Sequence, residues 1–171
     1  LARTDGFEYS LLRKDSVWCA ENGFPQTTYG WLNNLVYETD SGMNIHRNFW
    51  YGTIQHPIDV KTWEDYNAGY DPRTRDWFKG PSEVEDSSRP YWTQPYKILF
   101  QTFPGITASM KARSAKEGEY NIVQFDFLLS DVSKFTSELS FNKNGRVFVL
   151  SEQHEIIGLP KDERFSDPDT I

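Results

Sequence analysis

The sequence predicts an α+β fold in which short strands dominate and helices are few. Strand-like runs rich in aromatic and β-branched residues recur at short intervals, and Gly and Pro punctuate them as turns. Helical spacing of apolar residues is confined to short stretches. Of the 171 residues, 37% are hydrophobic and 16% aromatic, enough for a packed core with rings to spare for a binding surface.

Taken in order, residues 1–28 mix apolar and charged side chains around the breakers Gly6, Gly23 and Pro25, and no element is predicted there. Residues 29–37 are aromatic and apolar, Asp40-Ser41-Gly42 makes a turn, and 43–51 resume the pattern, which predicts a hairpin. A helical stretch is expected within 59–70. Residues 80–90, with Pro81, an acidic and Ser-rich cluster and Pro90, predict an exposed loop. Strands are expected over 91–103 and 106–113, separated by a Phe103-Pro104-Gly105 turn. A turn at Lys116-Glu-Gly-Glu119 leads to a strand over 120–129. A helix over 131–139 comes next, with Ser130 as N-cap and Val132, Phe135 and Leu139 at helical spacing. Beyond it, Phe141-Asn-Lys-Asn-Gly145 reads as a turn, and 146–150 and 156–160 as short strands. Such a hairpin cannot bury its own face. The expected organisation is therefore one module over 1–139 and the beginning of a second over 140–171.

Composition removes several function classes. The net charge is −7 and no dense Lys/Arg run occurs, so nucleic acid and anionic membrane surfaces are not expected partners. Cys19 is the sole cysteine, and His46, His56 and His154 lack metal-ligand spacing, so no metal site is predicted. The sequence has no G-x-S-x-G elbow, no G-x-G-x-x-G and no P-loop; no catalytic residue and no cofactor are predicted. Glu83-Val-Glu-Asp86 reads as a solvated acidic loop rather than a calcium site. No apolar run reaches transmembrane length.

The densest chemistry lies in Tyr70-Asp-Pro-Arg-Thr-Arg-Asp-Trp77-Phe-Lys79. Pro72 fixes its own φ and biases Asp71 toward extended geometry, which favours a loop. On an extended strip Arg73 and Arg75 project the same way. Arg is the side chain best shaped to grip a carboxylate through paired hydrogen bonds, and Trp77 beside it offers a wall against water. The alternative is a surface loop with solvated arginines, Arg73 paired to Asp71 or Asp76. In Asn121-Ile-Val-Gln-Phe-Asp-Phe-Leu-Leu129, alternation groups Ile122, Gln124, Asp126 and Leu128 on one face and Val123, Phe125, Phe127 and Leu129 on the other. An acid with apolar neighbours in mid-strand needs a partner. Either a nearby donor satisfies Asp126, or its face lines a pocket where a cationic ligand completes it.

These segments resemble, in order, the double Cache (PAS-like) extracytoplasmic sensor domains of bacterial receptors. Tyr70-Asp-Pro-Arg-Thr-Arg-Asp-Trp77 is similar to the family's Y-D-P-R-x-R-x-W segment and Tyr91-Trp-Thr-Gln-Pro-Tyr96 to its W-[TS]-x-P-Y segment. Pro104 to Ser109 is similar to the family's next strand, and Val123 through Leu139 to its later strand and linker helix. Asn142-Lys-Asn-Gly-Arg146 is similar to the entry into the membrane-proximal module, so the likeness covers about residues 60–160. The resemblance implies a PAS-like central antiparallel sheet flanked by helices, a ligand pocket on one sheet face, and the start of that second module. It also implies a long N-terminal helix, which residues 1–28 do not show. It further implies a non-catalytic domain, periplasmic or extracellular, in a bacterial inner-membrane receptor. The parent would be a homodimer feeding a histidine kinase of a two-component system, a chemotaxis transducer or a cyclic-nucleotide enzyme.

Members that bind free amino acids carry a Tyr-x4-Arg-x-Trp-Tyr element, a Tyr-x-Asp and a strand Asp. By position, Tyr70, Arg75, Trp77 and Phe78 match the first, Tyr96 the second and Asp126 the last. The implied ligand is an amino acid, amine or small carboxylate, its carboxylate on Arg75 and its ammonium on Asp126 and Tyr96. Phe78 stands where those members have Tyr, and Ile98 where they have the first acid. Two other readings stay open: a secreted carbohydrate-binding or glycoside-processing β-domain, and a ligand-free structural relay.

Overall fold

The computed structural model describes residues 1–24, 29–53, 55–66, 68–84, 86–99, 104–139 and 145–160. The chain divides into two compact units, Leu1–Lys79 with Lys111–Val123, and Gly80–Met110 with Gln124–Ile171. Both are built on antiparallel strands with a few helices, the α+β class expected.

The first unit opens with β1 (Ala2–Arg3) and β2 (Glu8–Asp15), then a short helix α1 (Ser16–Glu21). Asp15 caps α1 by accepting from the Trp18 amide at 2.8 Å. No long helix forms over 1–24, because alternate residues of β2 (Glu8, Leu12, Lys14) turn to a buried face, a strand period. A meander then runs through β3 (Tyr29–Thr39), β4 (Gly42–Thr53) and β5 (His56–Asp65), the first two forming the expected hairpin. The hydrogen-bonded order is β5-β4-β3-β2-β1, continued by β9 (Tyr120–Leu128), with Ala2 opposite both Glu8 and Ile122.

The helix expected within 59–70 is a strand instead. Val60, Thr62 and Trp63 favour extended backbone, and β5 runs along β4 with Glu64 opposite His46 and Trp63 opposite Arg47. A hydrogen bond between His46 and Glu64 and an ion pair from Arg47 to Asp65 tie the two strands. Tertiary pairing outweighs the weak helical pattern.

Leu32, Val36, Ile45 and Phe49 are the centre of this unit's core, each at most 2% exposed and worth about 1.5–3 kcal/mol of burial. The Phe24 ring stacks on Phe49 at 4.3 Å and on Trp18 at 5.5 Å, closing the end of the sheet. Lys14 is buried here under the Trp18 ring, 5.1 Å from its centroid, and burial pushes its pKa down to about 8.

The second unit contains β6 (Tyr91–Trp92) and β7 (Tyr96–Lys97), each short and each paired to β8 (Pro104–Arg113). These two dipeptides replace the continuous strand expected over 91–103. Pro104 opens β8 rather than turning the chain; Phe103, the Phe141–Asn144 turn and the 161–171 tail lie outside the described residues. Strand β9 passes directly into helix α3 (Leu129–Glu138), so Ser130 falls inside the helix and does not cap it. The expected turn at 116–119 forms between β8 and β9, closed from the Glu119 amide to the Lys116 carbonyl at 3.2 Å. The hairpin forms but is shorter than the expected 146–150 and 156–160: β10 is Val149–Leu150 and β11 Ile156–Gly158, with Gly158 against Val132 and Thr136 of α3. Helix α2 (Asp76–Glu83) runs from one unit into the other and carries Gly80 and Pro81 inside it. The loop expected over 80–90 therefore starts only after Glu83. Pro81 is buried; it removes the N–H that would bond the Trp77 carbonyl, and the helix ends two residues later.

Candidate functional site

In the first unit the arginine segment is a 3₁₀ turn, Pro72–Thr74, rather than an extended strip. The two guanidiniums consequently separate. Arg73 binds both Asp71 carboxylate oxygens at 2.8–3.1 Å and reaches Glu38 at 3.2 Å. Its guanidinium also lies against Gly6, where φ is +84° and an added Cβ would come within 3.0 Å. The Arg73 hydrogen bonds hold the Asp71 carboxyl below its ordinary range. Arg73 is thus a structural clasp, the bland reading of that residue.

Arg75 behaves differently. Its guanidinium stands 5.9 Å from the centroid of the Tyr70 ring, and no carboxylate lies within ion-pair distance among the described residues. The Tyr70 hydroxyl in turn donates to Glu8 at 2.7 Å, an acid 4% exposed. Glu8 was missed in the sequence because residues 1–28 had no assigned period; its signal was the alternation Glu8, Ser10, Leu12, Lys14. Trp77 and Phe78 are 3% and 5% exposed and meet edge to face at 6.0 Å; Phe78 also lies 6.1 Å from Tyr120. Both rings are packed walls rather than open platforms.

In the second unit, Tyr96 and Asp126 are brought together through a residue that the sequence patterns did not single out. Thr107 Oγ1 donates to Asp126 Oδ1 at 2.6 Å and lies 2.6 Å from the Tyr96 hydroxyl. A threonine has one hydroxyl hydrogen. Since Thr107 gives it to Asp126, Tyr96 must donate to Thr107, and the chain runs Tyr96 to Thr107 to Asp126. The Thr107 amide is itself fixed by Thr93 Oγ1 at 3.0 Å. Both hydrogens are thereby committed inward, and the outward lone pairs of Tyr96 and Asp126 accept only. Asp126 keeps solvent access along its edge, yet burial pushes its pKa up, more than the Thr107 hydrogen bond pulls it down. Thr107 was legible only as one alternate residue of β8; its pairing with Asp126 is tertiary.

Ile98 is 4% exposed and its side chain packs on Gly105, so an apolar contact occupies the position of the family's first acid. The opposite side of β9 holds a different feature. Alternation turns Phe127 away from Asp126, and Phe127 helps line an apolar cavity of about 450 Å³ with Trp92, Ile106, Val132, Phe135 and Val149. Among the described residues, no group of three His, Cys, Asp or Glu could hold a metal ion, and no helix is long and apolar enough to cross a membrane.

No protein-family model matches the chain. Over 112 residues it is 24% identical to the methyl-accepting chemotaxis protein McpC of Bacillus subtilis, covering 66% of this chain and 17% of that protein. The ligand-binding domain of the Campylobacter jejuni chemoreceptor Tlp3, solved with 4-methylisoleucine, aligns with a TM-score of 0.45 at 16% identity, over 79% of this chain and 46% of its own. That of the Pseudomonas aeruginosa amino acid chemoreceptor PctB, solved with L-Gln, aligns with a TM-score of 0.44 at 22% identity, over 71% and 46%. The chain spans less than half of either solved domain and 17% of McpC.

Proposed function

We propose that this chain is a non-catalytic, extracytoplasmic small-molecule sensor domain of the double Cache type, part of a bacterial membrane receptor, and that it binds an amino-acid-like ligand. The observation that carries the reading is the ordered chain from Tyr96 through Thr107 to Asp126. It presents an accessible, acceptor-only carboxylate at the position where the family motif places its ammonium-binding acid. The motif assigns the ligand's carboxylate to Arg75 beside Tyr70, with Trp77 and Phe78 as apolar walls; Arg75 is left without an ion pair among the described residues, as that role requires. The sequence similarity to a chemotaxis protein supports a receptor context, with chemotaxis the favoured output of the whole protein.

Charge-assisted hydrogen bonds of this kind are each worth about 1.5–3 kcal/mol, so two or three with aromatic burial support micromolar binding. The domain boundary near residue 140 and a homodimeric parent belong to the same proposal. A ligand shifts the signalling equilibrium only by its differential affinity for the two states. The carbohydrate reading draws on exposed aromatics, and Trp92 and Phe127, 45% and 42% exposed with centroids 5.7 Å apart, are such a pair; the order of the motifs favours the sensor.

The test is a thermal-shift screen of the chain against amino acids, amines and small carboxylates, repeated on Arg75→Ala and Asp126→Asn. A ligand at one hundred times its Kd adds about 2.7 kcal/mol, a readable rise in Tm. Hits lost in Asp126→Asn establish that residue as the ammonium-binding acid, and hits lost in Arg75→Ala establish the carboxylate-binding arginine. Silence of a well-folded wild type favours the ligand-free relay.

A further inference from the structure

Two buried side-chain oxygens on the strands of Thr107 and Asp126 lack hydrogen-bond partners among the described residues. Ser109 is 1% exposed and its Oγ meets no hydrogen-bond partner among the described residues; the buried Gln124 Oε1 is in the same position. Native folds pair nearly all such groups, and each exception asks for a cause.

Their placement comes from the strands. β8 is regular from Pro104 to Arg113 and β9 from Tyr120 to Leu128, so Ser109 shares the side of Thr107 and Gln124 that of Asp126. β8 and β9 are neighbours in the sheet, and consecutive strands joined by the 116–119 turn run antiparallel, so the step from Thr107 to Ser109 and the step from Asp126 to Gln124 lead the same way along the sheet. Each step is about 7 Å along its strand, within reach of side chains converging on one small group. Ser109 pairs with Tyr91 of β6, whose ring rests on Gly80.

The combined set is rich in acceptors. Asp126, when ionised, only accepts; Tyr96 and Thr107 have committed their hydrogens; Gln124 offers its amide oxygen and Ser109 an oxygen with a rotatable hydrogen. The complementary group is positively charged, carries several hydrogens and has no lone pair. A primary ammonium, with three N–H donors, fits. We infer that Gln124 and Ser109 complete the ammonium subsite, taking the hydrogens that Asp126 and Tyr96 leave over, and that they select primary over quaternary ammonium ligands. They stand in for the acid that Ile98 replaces. This inference rests on the ammonium reading of Asp126 proposed above.

The experiment takes the chain and its Gln124→Leu, Ser109→Ala and Arg75→Ala variants through calorimetric titration with the proteinogenic L-amino acids and the N-trimethylated form of each hit. The expected result is a loss of about tenfold in affinity for each hit in Gln124→Leu and in Ser109→Ala, with trimethylated forms weakened at least as much on the wild type. The unliganded Tm of both variants should equal or exceed that of the wild type, since a buried unpaired atom is gone. Unchanged affinity in either variant, or trimethylated forms that bind as well as their parents, overturns the inference. A fall of several degrees in unliganded Tm in both variants also overturns it, making Ser109 and Gln124 a structural pair. Hits abolished by Arg75→Ala but indifferent to the other two variants sink this inference alone. A wild type that binds no amino acid sinks the ammonium reading and this inference with it.

Discussion

Thr107 Oγ1 lies 2.6 Å from Asp126 Oδ1, and because threonine has a single hydroxyl hydrogen, this one contact orients the Tyr96 hydroxyl as well. Three residues from β7, β8 and β9 thereby act as a unit. Thr107→Val keeps the shape but removes both the donor to Asp126 and the acceptor beside the Tyr96 hydroxyl. The expected outcome is a loss of about 1–3 kcal/mol in stability. A further upward shift of the Asp126 pKa should accompany it, read by NMR titration of the carboxyl carbon.

Asp126 is held in a form that costs stability. Burial raises its folded pKa above the ordinary 3.8. The folded chain therefore binds this proton more tightly than the unfolded chain does. The penalty is absent below the unfolded value, grows as pH rises between the two values, and is constant above the folded one. Asp126→Asn removes it, so urea unfolding at pH 7 should show a more stable variant, and the difference from wild type should vanish at acidic pH. Ligand binding is lost in the same variant.

Arg73 and Arg75, two residues apart, should separate cleanly in mutagenesis. Arg73→Ala removes the clasp on Asp71 and Glu38, a partly exposed pair worth about 1 kcal/mol, and should lower Tm while ligand affinity changes little. Arg75→Ala should leave Tm within a degree or two and abolish binding of carboxylate-bearing hits. Equal effects from both substitutions would contradict this division of roles.

Gly105 has no room for a side chain. A Cβ there would meet the Phe127 carbonyl at 2.5 Å and the Ile98 side chain at 2.4 Å, and the carbonyl is backbone that cannot swing aside. Gly105→Ala should cost about 1–3 kcal/mol through overpacking and should part β8 from β9 next to Thr107. Denaturant unfolding measures the first effect; a weakened amino-acid titration, the second.

Lys14 provides a pH signature at the other end of the scale. With its pKa pushed down to about 8 from 10.5, the unfolded chain binds more protons than the folded chain between those values. Stability contributed by this group therefore rises as pH increases from about 8 to 10.5. The rise should appear in the wild type minus Lys14→Met difference from urea unfolding, which cancels other groups titrating in that range.

Much of this was legible in the chain itself. The 29–37 and 43–51 hairpin, the 116–119 turn, the strand ending at Asp126 and the helix after it arise from local periodicity and turn chemistry, which act over a few residues. Alternation alone turned Asp126 away from Phe127, because a strand's side chains have a period of two. What the local pattern could not carry were decisions made by partners distant in sequence. Residues 59–65 became a strand because β4 offered hydrogen bonds and an opposite charge. Arg73 and Arg75 parted because Asp71, Glu38 and Gly6 claimed one of them. The hydrogen that Asp126 receives comes from Thr107, nineteen positions away. The order of residues was enough to single out candidate binding side chains. Which hydrogens remained to be given, and which oxygens remained to receive them, was settled by the folded sheet, since hydrogen-bond capacity is allotted by neighbours in space.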